Sequence, residues 1–272
     1  ALVKLARVAR PLLPSIAGLV FDKQEASVRH SRQLIVPSAR MRDVIASCYP
    51  WHRPGLVQVL PWGTWAQDPD GAALAVEAAG IRREFKIEPG TRVLLTLSRI
   101  SPEKGQDRLL ASLLEYERRT PHAPPMAVFI CGEAAFMMGA KHMGKLRELA
   151  ARFQHIRIHF PGYVSGIRKA AFFRLADLYV FPSRHESYGL TLMEALHAGL
   201  PAVCLDHHGA EEIIDQSFGR IVKEAALAET IAALIGNEEQ RQSMSAAASA
   251  YALRHDFSGT AATLADLIRA HQ

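Results

Sequence analysis

The chain has 272 residues, 49% of them hydrophobic and 22% charged, with a formal net charge of +5. That is apolar material for one large or two small cores, and no run is long and apolar enough to span a bilayer. The positive excess favours anionic partners such as phosphates or anionic lipid, but no Arg/Lys block is interleaved with aromatics, which argues against nucleic acid.

In chain order, Ala1 to Leu13 is apolar with Lys4, Arg7 and Arg10 at intervals of three. This predicts a basic amphipathic surface helix, with a membrane-surface helix as the alternative. It lacks the cleavage site of a signal peptide. A helix over 22–31, a strand from Gln33 to Val36, a helix over 39–48 and a strand from Val57 to Leu60 follow. Gly and Pro punctuate 61–71, so a linker is placed there. Asp68-Pro69-Asp70 within it reads as turn chemistry, not a metal-binding pair. Beyond it, strands are expected at Val93 to Ser98, Ala127 to Cys131, Ile156 to Phe160, Leu178 to Phe181 and Ala202 to Leu205. Helices are expected at 104–119, 141–153, 166–175 and 189–198, with a helical, Ala-rich tail from 224. Apolar strands alternating with helices indicate an α/β fold: a Rossmann-like parallel sheet with helices on both faces. Such sheets bind ligands at the C-terminal ends of their strands. Cys48, Cys131 and Cys204 suit buried thiols in a reducing compartment.

Residues with chemistry recur just after these strands. Arg99 and Lys104 flank a turn that opens a helix, where exposed N–H groups and the helix dipole favour an anion; two solvated basic residues are the plain alternative. Cys131-Gly132-Glu133 and Pro161-Gly162-Tyr163-Val164 are tight turns at the same edge. The richest stretch runs from Phe181 to Leu196. A loop carries Glu186, Gly189 opens a helix, and Glu194 lies about one turn inside it. N–H groups from Gly189 to Thr191 suit phosphate, and Glu194 suits hydroxyls such as a ribose diol. Solvated acids explain Glu186 and Glu194 equally well when each is taken alone. His207 and His208 have no ligand spacing around them that completes a metal site.

Taken together, these motifs resemble the retaining glycosyltransferases of family 4, which have the GT-B fold. The matched positions are Arg99 and Lys104-Gly105, then Ala176-Asp177 before Phe181-Pro182-Ser183. Next come Glu186 and Glu194 in E-x7-E spacing, Ala198-Gly199-Leu200-Pro201, and Gly209 with Glu212, Ile213 and Ile214. The resemblance covers about residues 90 to 222. It implies transfer of a hexosyl group from a nucleoside diphosphate sugar to a hydroxyl acceptor, with retention and without a metal. It also implies that Arg99 and Lys104 hold the diphosphate, that Glu194 binds the ribose, and that Glu186 contacts the transferred sugar. Arg99, Lys104 and Glu186 form the implied catalytic set. Tyr188, Gly189, Leu190 and Thr191 would contact phosphate or sugar, and Val164 would lie near the base.

The donor is expected to be a UDP- or GDP-sugar with no further cofactor, and the acceptor a saccharide, lipid or other hydroxyl compound. Residues 1–64 resemble the end of an N-terminal acceptor-side domain and its hinge. Residues 65–272 would form the nucleotide-sugar-binding domain, so the rest of the first domain is an expected partner. The expected location is cytoplasmic, with peripheral membrane contact as an added option. A non-catalytic nucleotide-sugar-binding module, a non-hydrolysing sugar-nucleotide epimerase and, last, a basic nucleic-acid binder are the rival readings.

Overall fold

A computed structural model describes residues 15–64 and 70–270; the first-segment helix and Asp68-Pro69 of the expected turn lie outside them. The described residues up to Pro61 group with those from Thr263 onward, and Trp62–Ala262 forms a second compact unit. The sequence places its boundary three residues later and keeps the final helix wholly in the second unit.

The first unit contains α1 (Ser15–His30), β1 (Leu34–Val36), α2 (Ala39–Cys48) and β2 (Val57–Val59). The two strands pair in parallel, Leu34 opposite Val57. Ser38 starts α2 because its hydroxyl accepts from Met41 N at 3.1 Å, satisfying a first-turn N–H that the helix itself leaves open. Val28, Tyr49 and Leu56 form a small core.

The second unit begins with α3 (Gly71–Glu84), a helix the sequence reading does not assign. Its Ala- and Gly-rich composition blurs the contrast between its faces, and Ile81 is its one buried residue. Then come β3 (Arg92–Leu97), α4 (Gln106–Arg119), β4 (Met126–Cys131), α5 (Phe136–Ala150), β5 (Arg157–Gly162), α6 (Gly166–Leu175) and β6 (Leu178–Phe181). They are followed by α7 (Leu190–His197), β7 (Ala202–Leu205), the one-turn α8 (His208–Glu211) and β8 (Gly219–Val222). The chain closes with α9 (Leu227–Gly236), α10 (Glu238–Leu253) and α11 (Phe257–Arg269). A single turn of 3-10 helix, Pro102–Lys104, precedes α4, so Lys104 sits in that turn and not in the long helix.

All six strands are parallel, in the order β5-β4-β3-β6-β7-β8. β8 is an addition to the five expected strands; Gly219-Arg220-Ile221-Val222 is too short and mixed to stand out as a run. Alternate residues feed two cores. Val93, Leu95, Phe129, Tyr179 and Phe181 pack on one face, and Leu94, Val128, Ile130, Leu178 and Val180 on the other. Strands buried on both sides need apolar residues at every position, which is why they read as continuous runs. Cys131 and Cys204 are buried free thiols, each pushed up in pKa by burial. No helix among the described residues is long and apolar enough to cross a membrane.

Glu117, near the end of α4, ties that helix to the turn before β5. Its carboxylate accepts from Gln154 N, His155 N and Ile156 N at 3.0, 2.8 and 2.7 Å. Burial pushes its pKa up, but the three N–H donors outweigh this and hold it below the ordinary value. The stabilisation is therefore complete above the unfolded carboxyl's pKa and lost as pH falls through the folded value. Glu117→Gln should cost about 1.5–3 kcal/mol at pH 7, and urea unfolding from pH 7 to pH 3 should show a shallower loss than in the unaltered chain. Parallel pH profiles for the two proteins would contradict this role.

Candidate functional site at the switch point of the sheet

β3 is the first strand of the second unit, and the strands after it run outward on one side, then the other. β4 and β5 lie to one side of it, β6, β7 and β8 to the opposite side. Neighbouring strands that send their connections to opposite sides leave a crevice beyond their C-terminal ends. Here these are β3 and β6, paired through Leu94–Leu178 and Leu95–Tyr179. The segments leaving them carry Arg99 and Lys104 on one strand and Ser183 to Gly189 on the other.

The two segments touch. Lys104 Nζ donates to Glu186 Oε1 at 2.6 Å, and Ser183 Oγ to the same oxygen at 2.8 Å. Both side chains of the ion pair are 13% exposed. Glu186 Oε2 takes no hydrogen bond from any described residue. Gly105 makes the approach possible: its φ is 65°, and a Cβ there would lie 2.0 Å from Pro182 O. Gly209 closes the other side, where a Cβ would come within 2.5 Å of Tyr188 O and 2.7 Å of Glu186 Cβ. The Gly209-x-x-Glu212 signal thus has a packing basis: Gly209 lets the loop after β7 lie against the Glu186 loop. His207 Nδ1 accepts from Ala210 N at 3.2 Å and caps α8.

Arg99 is held through its face. Its guanidinium lies 4.5 Å from the centre of the Phe136 ring, and its N–H groups donate to no described residue. A cation fixed by an aromatic ring keeps its donors for a ligand. α7 opens at Gly189 with no side-chain cap, so its first N–H groups remain available to an anion. Tyr188 is buried, and burial raises its phenol pKa. Thr191 Oγ1 lies 2.9 Å from Tyr179 OH, which also reaches Leu97 O at 3.1 Å. These contacts tie the start of α7 to the end of β3. Leu190 is exposed and Val164 is buried in the core beneath the edge.

Glu194 does not join the Lys104–Glu186 pair. It accepts from Lys169 Nζ of α6 at 2.8 Å, in a pair about one-third exposed. The sequence reading gives no role to Lys169, nor to Arg184 and Asp107, which form a part-buried pair behind the loop. Trp62, read as linker, stands edge-on to Tyr188 with ring centres 6.5 Å apart. Pairing of residues so distant along the chain has no periodic signature. A separate cleft of about 380 Å³, bordered by Arg174, Asp177, Gly199 and Ser245, lies at the opposite edge of the sheet. The switch-point edge is the stronger site because the unspent guanidinium, the open Glu186 carboxylate oxygen and the uncapped helix start lie on the segments that leave β3 and β6 there.

Comparison with known proteins identifies the family. The family model for glycosyl transferases group 1 matches residues 78–251. A D-inositol 3-phosphate glycosyltransferase from Nocardia farcinica is 29% identical over 190 residues, which is 68% of this chain and 42% of that protein. A mannosylfructose-phosphate synthase from Agrobacterium fabrum is 32% identical over 144 residues, 52% of this chain and 30% of that protein. The chain thus spans less than half the length of these two curated relatives. Among solved structures, Anabaena HepE in complex with UDP superposes with a TM-score of 0.75 at 20% identity, covering 98% of this chain and 75% of that one. That likeness shows the fold. With the family model spanning well over half of its residues, the chain belongs to the glycosyl transferases group 1, of GT-B fold.

Proposed function

We propose that this chain binds a nucleoside diphosphate sugar at the switch point and contributes that site to hexosyl transfer onto a hydroxyl acceptor, with retention. The observation that carries the reading is the gathering of Arg99, Lys104, Glu186 and the uncapped start of α7 on two touching segments. Arg99 and Lys104 would take the diphosphate. As the bond to the sugar breaks, the leaving diphosphate gains negative charge while the sugar becomes oxocarbenium-like. Fixed cations and helix N–H groups stabilise charge where it develops, and they act without reorganising. Lys104 has three donors and gives one to Glu186, so it can hold a phosphate oxygen while keeping the carboxylate in place. Glu186 Oε2 would receive a hydroxyl of the sugar, and Glu194 Oε2 a ribose hydroxyl. UDP- and GDP-sugars are the donors of choice, and the residues around the diphosphate supply its positive charge without a metal.

The two acids separate in a titration. Glu194→Ala should weaken plain UDP or GDP, since nucleotide and nucleotide sugar share the ribose. Glu186→Ala should leave plain nucleotide within about twofold and weaken the sugar conjugate about tenfold, the effect of one lost hydrogen bond to a charged group. Isothermal titration with each nucleotide and its sugar conjugate measures both. A greater loss of plain nucleotide in Glu186→Ala than in Glu194→Ala would reverse the assignment.

A further inference from the structure

Arg184 sits two residues before Glu186, yet its hydrogen bonds leave the loop. Its backbone N–H donates to Glu103 O at 2.8 Å, and its guanidinium donates to Pro102 O. The same guanidinium pairs with Asp107 at two points, Nη1 to Oδ1 at 2.9 Å and Nη2 to Oδ2 at 3.0 Å. Asp107 lies in the first turn of α4 with its side chain 10% exposed. Lys145 of α5 donates to Oδ2 at 2.8 Å, and buried His142 stands 4.0 Å from Oδ1. One arginine therefore joins the Glu186 loop, the Pro102–Lys104 turn and the helix behind both. A planar fork on a carboxylate fixes direction as well as distance, which a lysine ammonium cannot reproduce. Burial pushes the Asp107 carboxyl up, but Arg184 and Lys145 outweigh it and keep the acid charged at neutral pH.

We propose that Arg184 and Asp107 are positioning residues: their two-point pair clamps the Glu186 loop onto the Lys104 turn and sets Glu186 against the donor sugar. The proposal rests on the donor reading above. Neither residue has to touch the donor. Loss of the clamp should be felt by the sugar that Glu186 addresses more than by the nucleotide, which also has Arg99, Glu194 and α7.

The test uses Arg184→Lys, Asp107→Asn and the double variant in the 272-residue chain. Hydrogen exchange of the unliganded proteins should show amides in 183–189 exchanging about tenfold faster, with those of β3, β4 and β6 unchanged. Plain UDP or GDP affinity should stay within about twofold, and the added affinity of the sugar conjugate should fall about tenfold; the double variant should be no worse than the weaker single, as for two members of one contact. Should a single variant unfold, Arg184→Met/Asp107→Leu replaces the part-buried pair by apolar side chains of similar size, which leaves no unpaired charge between the two positions, and it should loosen the same loop. Unchanged exchange in 183–189, or equal weakening of nucleotide and sugar conjugate, would overturn the clamp. Failure of the unaltered chain to bind any nucleotide sugar would instead sink the donor reading, while loop exchange would still decide whether the clamp exists.

Discussion

Gly105→Ala is expected to lower the melting temperature by on the order of 10 °C, from a change of one methyl group. Gly105 has φ 65° and stands where the turn after β3 meets the loop after β6. An alanine in that left-handed region costs about 1–2 kcal/mol. Its Cβ would also fall 2.0 Å from Pro182 O and 2.9 Å from Pro182 C. Those are backbone atoms at the end of a buried strand, so no flexible side chain can yield. Forced displacement of that kind adds about 1–3 kcal/mol, giving roughly 2–5 kcal/mol in all. At about 2–4 °C per kcal/mol for a domain of this size, a shift near 10 °C follows. Calorimetry of the unaltered and altered chains measures it. A melting temperature within a degree of the original would mean that the two segments do not pack this closely.

Lys104→Ala, one residue earlier, should act on the ligand. Losing a shielded charge-assisted contact to a diphosphate costs about 1.5–3 kcal/mol, or roughly ten- to a hundredfold in Kd. A second effect adds to the first. Lys104 is the cation hydrogen-bonded to Glu186; without it a half-enclosed carboxylate faces the incoming phosphates. Lys104→Ala/Glu186→Gln removes that repulsion and should recover part of the lost nucleotide affinity. Titration of UDP and GDP into both variants distinguishes the two effects. If the double variant binds plain nucleotide no better than Lys104→Ala, the carboxylate lies too far from the phosphates to repel them.

The places of the strands along the chain were legible because a doubly covered parallel sheet demands apolar runs, and five of the six strands provide them; their order across the sheet was not read from the sequence. β8 escaped because Gly219 and Arg220 break its run. The α3 helix escaped because alanine and glycine give it no contrasting faces. Within the site, sequence reasoning found the groups at strand ends, since topology alone puts such positions on one edge. It did not find their partners. Lys169 beside Glu194, Asp107 beside Arg184 and Phe136 beneath Arg99 come together only through packing of different crossovers. The same limit applies to Gly209, whose role depends on the loop it approaches and not on its own neighbours in the chain.

The central pairing of β3 with β6 also shapes how the molecule is made. Residues 92–162 can assemble β3, β4 and β5 through successive right-handed crossovers, each strand pairing with the one before it. Until β6 is complete, one edge of β3 has no partner, and that edge belongs to the fully buried run Val93 to Leu95. Wherever β3, β4 and β5 pair before β6, an apolar, hydrogen-bonding strand edge is exposed, the feature that invites pairing with another chain. Docking of Leu178–Phe181 covers this edge and, in the same event, delivers Glu186 to Lys104 across 82 positions of sequence. Closure of the sheet and completion of the candidate site therefore depend on the same docking of β6 against β3.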